Sequence, residues 1–177
     1  MTIKQIHHVA YRCLDAKQTV DWYVKHLNMN FVLAIAENEV PSTKAPDPYM
    51  HVFLDAGQGN VLAFFELPTQ PAMDRDRNTP AWVQHLALEV ASMDELLAAK
   101  ERLVAAGISV IGPVNHAIFQ SIYFFDPNGH RLELAVNTGT PEMMAKLDAV
   151  KWEMLEEWSQ TRRAPKHAAW MHAPAEA

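Results

Sequence analysis

Two stretches decide how this chain folds: Ile6-His7-His8-Val9-Ala10-Tyr11-Arg12-Cys13-Leu14-Asp15 and Gln84-His85-Leu86-Ala87-Leu88-Glu89-Val90-Ala91-Ser92. The first holds a β-rich run from Ile6 to Leu14 and the second the greater part of a strand expected from Trp82 to Val90, and each is followed by a residue suited to cap a helix, Asp15 and Ser92. His8 stands seven residues before its cap, and His85 stands seven before its own. The segments after the caps also match. Val20, Tyr23, Val24 and Leu27 recur at helical spacing after Asp15, and Leu96, Leu97, Leu103 and Val104 do so after Ser92. Asn28 ends the first helix and Gly107, in the C′ position, ends the second. A strand comes next in each copy, Phe31 to Ala36 and Ile108 to Ile111.

Working outward, each copy continues into a hairpin. Met50 to Leu54 and Asn60 to Leu67 flank Asp-Ala-Gly-Gln-Gly, and Gln120 to Phe125 and His130 to Val136 flank Asp126-Pro127-Asn128-Gly129. Both intervening segments carry strong turn residues. The pattern is β-α-β-β-β twice, an internal repeat. We therefore expect an α+β fold in which two βαβββ modules form a cupped, eight-stranded mixed sheet. The first module spans residues 1–67, a connecting loop 68–81, the second module 82–139, and a C-terminal helical extension and tail 140–177. In that extension Thr140 caps the helix, Pro141 sits at its first position, and Leu147, Val150, Met154 and Trp158 form one apolar stripe. The stripe predicts that 141–160 docks on something, with Arg162 onward loose. Six of the eleven prolines fall in the loops 38–49 and 68–81. Long loops of this kind either cover a site or simply connect elements.

Composition narrows the function. The formal net charge is −6 with 15 basic and 21 acidic residues. That balance disfavours a nucleic-acid partner and a polybasic membrane anchor. No apolar run reaches the roughly 18 residues a membrane helix needs, and the N-terminus does not read as a signal peptide. A cytoplasmic location is the expectation. Cys13 is the lone cysteine, which rules out an internal disulfide and a thiolate zinc cage.

The nine histidines raise the question of metal. Two imidazoles and one or two carboxylates suit Fe(II), Mn(II), Zn(II) or Ni(II). A lone histidine in a strand is usually structural, but His8 and His85 occupy the same place in two copies of one module. His7 points to the other face of its strand and reads as structural. Glu66 and Glu133 each lie in an apolar run on the second hairpin strand. Burying a carboxylate there without a partner is costly, so both are candidate ligands. An arginine such as Arg12 or Arg131 could also account for either. Glu66 shares alternation with Leu62 and Phe64, which suggests that it points into the cup.

His8-Val-Ala-Tyr-Arg-Cys-Leu-Asp, His85-Leu-Ala-Leu-Glu-Val and Asp126-Pro-Asn-Gly-His-Arg-Leu-Glu resemble the glyoxalase / bleomycin-resistance / extradiol dioxygenase superfamily, also called the vicinal oxygen chelate superfamily, over about residues 4–137. The resemblance implies that His8, His85 and Glu133 are metal ligands. It also places Glu66 where glyoxalase I-type members supply a fourth. The order His116, Tyr123, Asp126-Pro127, Gly129, Glu133 is similar to the signature of type I extradiol ring-cleavage dioxygenases. There His116 and Tyr123 would serve the proton transfers of ring opening. Two departures stand out. Residues 68–84 lack the additional histidine that such enzymes often carry before the second ligand, and many of those enzymes are twice this length.

The leading expectation is an Fe(II)-dependent dioxygenase acting on a catechol-like or hydroquinone-like ring, with Phe53, Phe64 and Phe124 as possible pocket walls. The alternatives are a glyoxalase I-type lyase or isomerase working through a metal-bound enediolate, and a protein that binds a small molecule such as an antibiotic. A small-molecule substrate and a homodimer are the expected partners.

Overall fold

Helix α1 (Ala16–Leu27) forms where the apolar spacing predicts it, and both its ends are fixed by caps. The Asp15 side chain accepts from the Gln18 amide at 2.7 Å, satisfying one of the four N–H groups a helix leaves open at its start. Asn28, in the left-handed conformation at φ 54°, ends it. The computed structural model describes residues 4–74, 76–167 and 169–172. The element order is β1 (Val9–Cys13), α1, β2 (Asn30–Glu37), β3 (Tyr49–Asp55), β4 (Val61–Glu66), β5 (Leu86–Glu89), α2 (Met93–Ala105), β6 (Ile111–Asn115), β7 (Phe119–Phe125), β8 (Arg131–Asn137) and α3 (Pro141–Thr161), with a 3₁₀ turn after it at Ala169–His172.

The fold is α+β, with βαβββ present twice and a helix at the C-terminal end. The eight strands pair as two four-stranded mixed sheets, ordered β1-β4-β3-β2 and β5-β8-β7-β6. In each, the first strand of the module runs parallel to the last, β1 to β4 and β5 to β8. The chain divides into two compact units. The first comprises Met1–His85 together with Phe125–Arg131, and the second comprises Leu86–Phe124 and Leu132–Ala177.

In the first unit, Tyr23 of α1 meets Phe64 of β4 with ring centroids 5.0 Å apart, and both are fully buried. Leu54 and Leu62 join them in the core. The turn Asp126–Gly129 belongs to this unit and is tied into it. Asp126 accepts from the Tyr23 hydroxyl at 3.1 Å, and Asn128 Oδ1 accepts from the Leu14 amide at 2.8 Å. The two proline-rich loops are joined through Asp47, which accepts from Thr69 Oγ1 at 2.6 Å and Gln70 Nε2 at 2.7 Å.

In the second unit, Ser92 accepts from the Glu95 amide at 3.2 Å while Glu95 accepts from the Ala91 amide at 3.1 Å, a reciprocal arrangement close to a capping box. Leu96, Ala99 and Leu103 are the buried members of α2, whereas Leu97 and Val104 face solvent. Two strand expectations need correction. Trp82 to Gln84 form a turn, closed by the Val83 amide on the Pro80 carbonyl, so β5 starts only at Leu86. The strand expected at 108–111 instead begins at Ile111, because the Ile108 amide is spent on Leu103 at the end of α2. Gly112 then sits at φ +107°, where a Cβ would come within 2.5 Å of the Ser121 carbonyl, so only glycine fits.

α3 starts at Thr140 and Pro141 as expected, but none of its residues is buried. Trp152, Leu155 and Trp158 are 73%, 57% and 44% exposed. The docking expected for this helix is therefore not found among the described residues. Of the residues from Arg162 onward, expected to be loose, His167 reaches back to α3 with its Nε2 3.0 Å from Glu157, and residues 168 and 173–177 lie outside the described residues.

Candidate functional site

The expected site residues separate by unit and by sheet face. In the second unit, Glu133 lies in β8 and is 3% exposed. Its Oε1 accepts from Tyr123 Oη at 3.2 Å and from Ser121 Oγ. Tyr123 Oη is in turn 2.8 Å from His116 Nε2. Alternation on β7 explains the grouping, since Ser121 and Tyr123 are two residues apart and share one face. His116 is placed by the turn before β7, where its amide donates to the Phe119 carbonyl at 2.9 Å and its ring stacks on Phe119 at 4.7 Å. With the proton on Nε2, the imidazole donates to Tyr123, leaving the phenol hydrogen for Glu133. The three groups then form one hydrogen-bonded chain ending on a buried carboxylate.

In the first unit, His8 sits just ahead of β1 and is exposed. Its Nδ1 is 2.7 Å from that of His7, and its ring lies 5.7 Å from Phe53 and 6.2 Å from His51. His85, also exposed, stands one residue before β5 with its Nδ1 2.9 Å from the Val83 carbonyl. His51 is buried on β3. Burial, together with the neighbouring His8 ring, pushes its imidazole below the ordinary histidine range. Neither His51 nor Ser121 is among the residues that sequence patterns single out. The available signal is a polar residue inside a largely apolar strand, shared in β7 with the neighbouring Gln120.

Glu66 is where the expectation and the structure part. It does share a face with Leu62 and Phe64, but that face packs on α1, as the Tyr23–Phe64 contact shows. The carboxylate accepts from the Ala16 amide at 2.7 Å. α1 carries no acidic residue in its own first turn, so Glu66 supplies the negative charge its N-terminus favours. The strand registers make the same point. Ala10 pairs with Ala63 across β1 and β4, and Ala87 pairs with Glu133 across β5 and β8. Ala10 and Ala87 each lie two residues after the repeated histidine. The first-module position that corresponds to Glu133 is therefore Ala63, not Glu66. Phe64 likewise belongs to the core against α1 rather than to the His8 face, while Phe53 lies beside His8.

Cys13 is buried at 2% exposure, and burial pushes its thiol up to about 11, which removes it from nucleophilic chemistry near neutral pH. Among the described residues, no three His, Cys, Asp or Glu side chains converge closely enough to hold a metal ion. The donor types at His8, His85 and Glu133 nonetheless suit a divalent transition metal, two imidazoles and a carboxylate that hydroxyl donors already orient. No helix among the described residues is long and apolar enough to cross a membrane.

Residues 5–134 match the model of the "Glyoxalase/Bleomycin resistance protein/Dioxygenase superfamily". The chain is 29% identical over 126 residues to the Bacillus subtilis (strain 168) protein named "Putative ring-cleaving dioxygenase MhqA". That match covers 71% of this chain and 37% of MhqA, so the chain spans little more than a third of that relative's length. Among solved structures, a glyoxylase/bleomycin resistance protein/dioxygenase domain from Frankia sp. EAN1pec aligns with a TM-score of 0.60 at 20% identity, covering 77% of this chain and 99% of that one. A glutamate-to-glutamine variant of the fosfomycin resistance protein FosX from Listeria monocytogenes, complexed with Mn(II) and 1S,2S-dihydroxypropylphosphonic acid, aligns with a TM-score of 0.56 at 21% identity, covering 82% and 100%. Both structural likenesses bear on fold alone.

Proposed function

Because the chain belongs to the glyoxalase/bleomycin resistance protein/dioxygenase superfamily, we propose that it is a metal-dependent enzyme, an Fe(II) extradiol-type dioxygenase acting on a catechol-like or hydroquinone-like aromatic. The observation that carries this reading is the His116–Tyr123–Glu133 chain, which links both residues of the ring-cleavage signature to the candidate carboxylate ligand. His8, His85 and Glu133 would hold the ion. When bound, Fe(II) acidifies the hydroxyls of an aromatic diol and offers open positions to diol and O₂.

The protein groups have separate tasks. Ser121 and Tyr123 fix the Glu133 carboxylate through Oε1, so the ligand is oriented before anything binds. Tyr123 Oη can also hand its hydrogen bond to a substrate oxygen. His116, hydrogen-bonded to Tyr123 through Nε2, is the imidazole placed to relay a substrate proton through that phenol. The absence of a carboxylate at position 63 and the engagement of Glu66 on α1 count against a four-ligand lyase site.

The test is to reconstitute the apoprotein anaerobically with Fe(II), add a panel of catechols and hydroquinones, and follow O₂ uptake. Iron content is measured alongside. Uptake tied to ring-opened product supports the reading. Conversion of a glutathione hemithioacetal by the Ni(II) or Zn(II) form, with no O₂ uptake by the Fe(II) form, overturns it in favour of the lyase.

A further inference from the structure

The His8 face of the first sheet carries a group that the chemistry above leaves unused. On β3, His51 stands opposite Phe65 of β4 and shares its own face with Phe53. Its ring stacks on Phe65 with centroids 3.5 Å apart and planes at 18°, and it lies 4.1 Å from Phe53. The residue is 9% exposed, and its Nε2 is buried without a hydrogen-bond partner. Across Phe65 on the other side, the register places Arg12 of β1. Its Nη2 donates to the Pro71 carbonyl at 2.6 Å, while its Nε is likewise buried without a partner.

Stacking alone does not account for a histidine here. Phenylalanine at position 51 would cover Phe65 equally well and would leave no polar atom unsatisfied, a deficit that is costly in a buried position. A half-turn about χ2 exchanges Nε2 with Cε1 and keeps the ring in the stack, so the polar atom can be presented without breaking the Phe65 contact.

We propose that His51 is a substrate-positioning residue, whose Nε2 makes the polar contact to an oxygen of a phenolic ring seated on the His8 face, with Phe53 as its apolar wall and Phe65 holding the His51 ring in place. This rests on the ring-cleavage reading and names the part of the first module that recognises the ring. His51 does not bind the metal in this assignment. It fixes the ring's orientation from the side of the sheet that also carries His8.

The probe is 4-nitrocatechol, whose visible absorbance reports binding, titrated anaerobically into the protein with and without Fe(II). His51→Phe keeps the stack and removes both ring nitrogens. It should weaken 4-nitrocatechol binding by about five- to thirtyfold, the loss of one buried hydrogen bond. Iron content should not change, and in turnover KM should rise more than kcat falls. His51→Gln should restore part of the affinity. Unchanged binding in His51→Phe overturns the assignment, as does a loss of iron. An equal binding loss in both variants with a lowered melting temperature also overturns it, since that pattern marks a packing role. If 4-nitrocatechol binding depends on His51 but the wild type takes up no O₂, the ring-cleavage reading fails and the phenol contact stands. If the wild type cleaves the ring and neither binding nor turnover responds to His51, the ring-cleavage reading stands and the phenol contact fails.

Discussion

Replacing Tyr123 with Phe removes a single oxygen at the centre of the second unit's polar chain. That oxygen is 2.8 Å from His116 Nε2 and 3.2 Å from Glu133 Oε1, so two groups lose a partner at once. Glu133 keeps Ser121 as a donor to the same oxygen, and the phenyl ring still fills the space of a residue only 8% exposed. The stability loss should therefore stay near that of one hydrogen bond to a charged group, about 1.5–3 kcal/mol. For a chain of this size that corresponds to a fall in melting temperature of roughly 3–12 °C. The effect on turnover should be larger in kind. If the hydroxyl stabilises charge at a substrate oxygen, kcat for O₂ uptake should drop about ten- to a thousandfold, or about 1.4–4 kcal/mol. Iron content should remain close to wild type, because the carboxylate is retained and still oriented by Ser121. The assay is steady-state O₂ consumption by the Fe(II) form with the best diol of the panel, paired with metal analysis of the same preparation. Unchanged kcat in both Tyr123→Phe and His116→Ala would refute the reasoning. Iron loss in Tyr123→Phe would show instead that the phenol serves only to build the metal site.

Three further outcomes are expected from the geometry. Glu66→Gln should leave metal content unchanged while lowering the melting temperature by a few degrees, on the order of 1 kcal/mol for the lost charge at the start of α1; a lost metal ion would return Glu66 to the ligand set. Stability should fall as pH rises from about 9 toward 11. The folded state holds the Cys13 thiol up at about 11 against an ordinary 9.0, so the unfolded chain sheds that proton first, and burial beside Asp126 raises Tyr23 in the same direction; the contribution is complete below the ordinary value and lost through the raised one. Thermal melts of wild type and Cys13→Ala across this range check it, and equal alkaline slopes would remove the thiol as a cause. Sedimentation should give a dimer near twice 20.0 kDa, because Phe31, Val32 and Leu33 on the edge strand β2 and Trp152 on α3 are exposed apolar surface of the kind that association covers; a monomer at micromolar concentration would contradict this.

The repeat is legible in the sequence because it rests on local signals. Caps at Asp15, Ser92 and Thr140, and alternation in β3, β4, β7 and β8, depend on neighbours within a few residues. The grouping of His116, Tyr123 and Glu133 is also readable, from the signature order that all three keep. Glu66 misleads because alternation tells which residues share a face but not which face meets a helix. Only the contact between Tyr23 and Phe64 decides that, and those residues are far apart in the chain. The extent of β5 is overstated by sequence since Trp82 and Val83 have strand propensity, while the turn from Pro80 prevails locally. His51 escapes a sequence search for a related reason. A single histidine in an apolar strand has no pattern, and its significance comes from Phe65 on the next strand.

The turn Asp126–Gly129 has a consequence for how the chain is made. Its partners Leu14 and Tyr23 lie in the first unit, and the Tyr23–Asp126 bond spans 103 residues of sequence. The first unit is not a contiguous segment, so it cannot be completed as it leaves the ribosome. At about 5–20 residues per second, roughly 5–20 s of synthesis separate the two partners. During that interval the Tyr23 hydroxyl and the Leu14 amide await their acceptors. A nascent fragment ending near His85 is thus an unfinished unit by construction, completed only when residues 125–131 emerge.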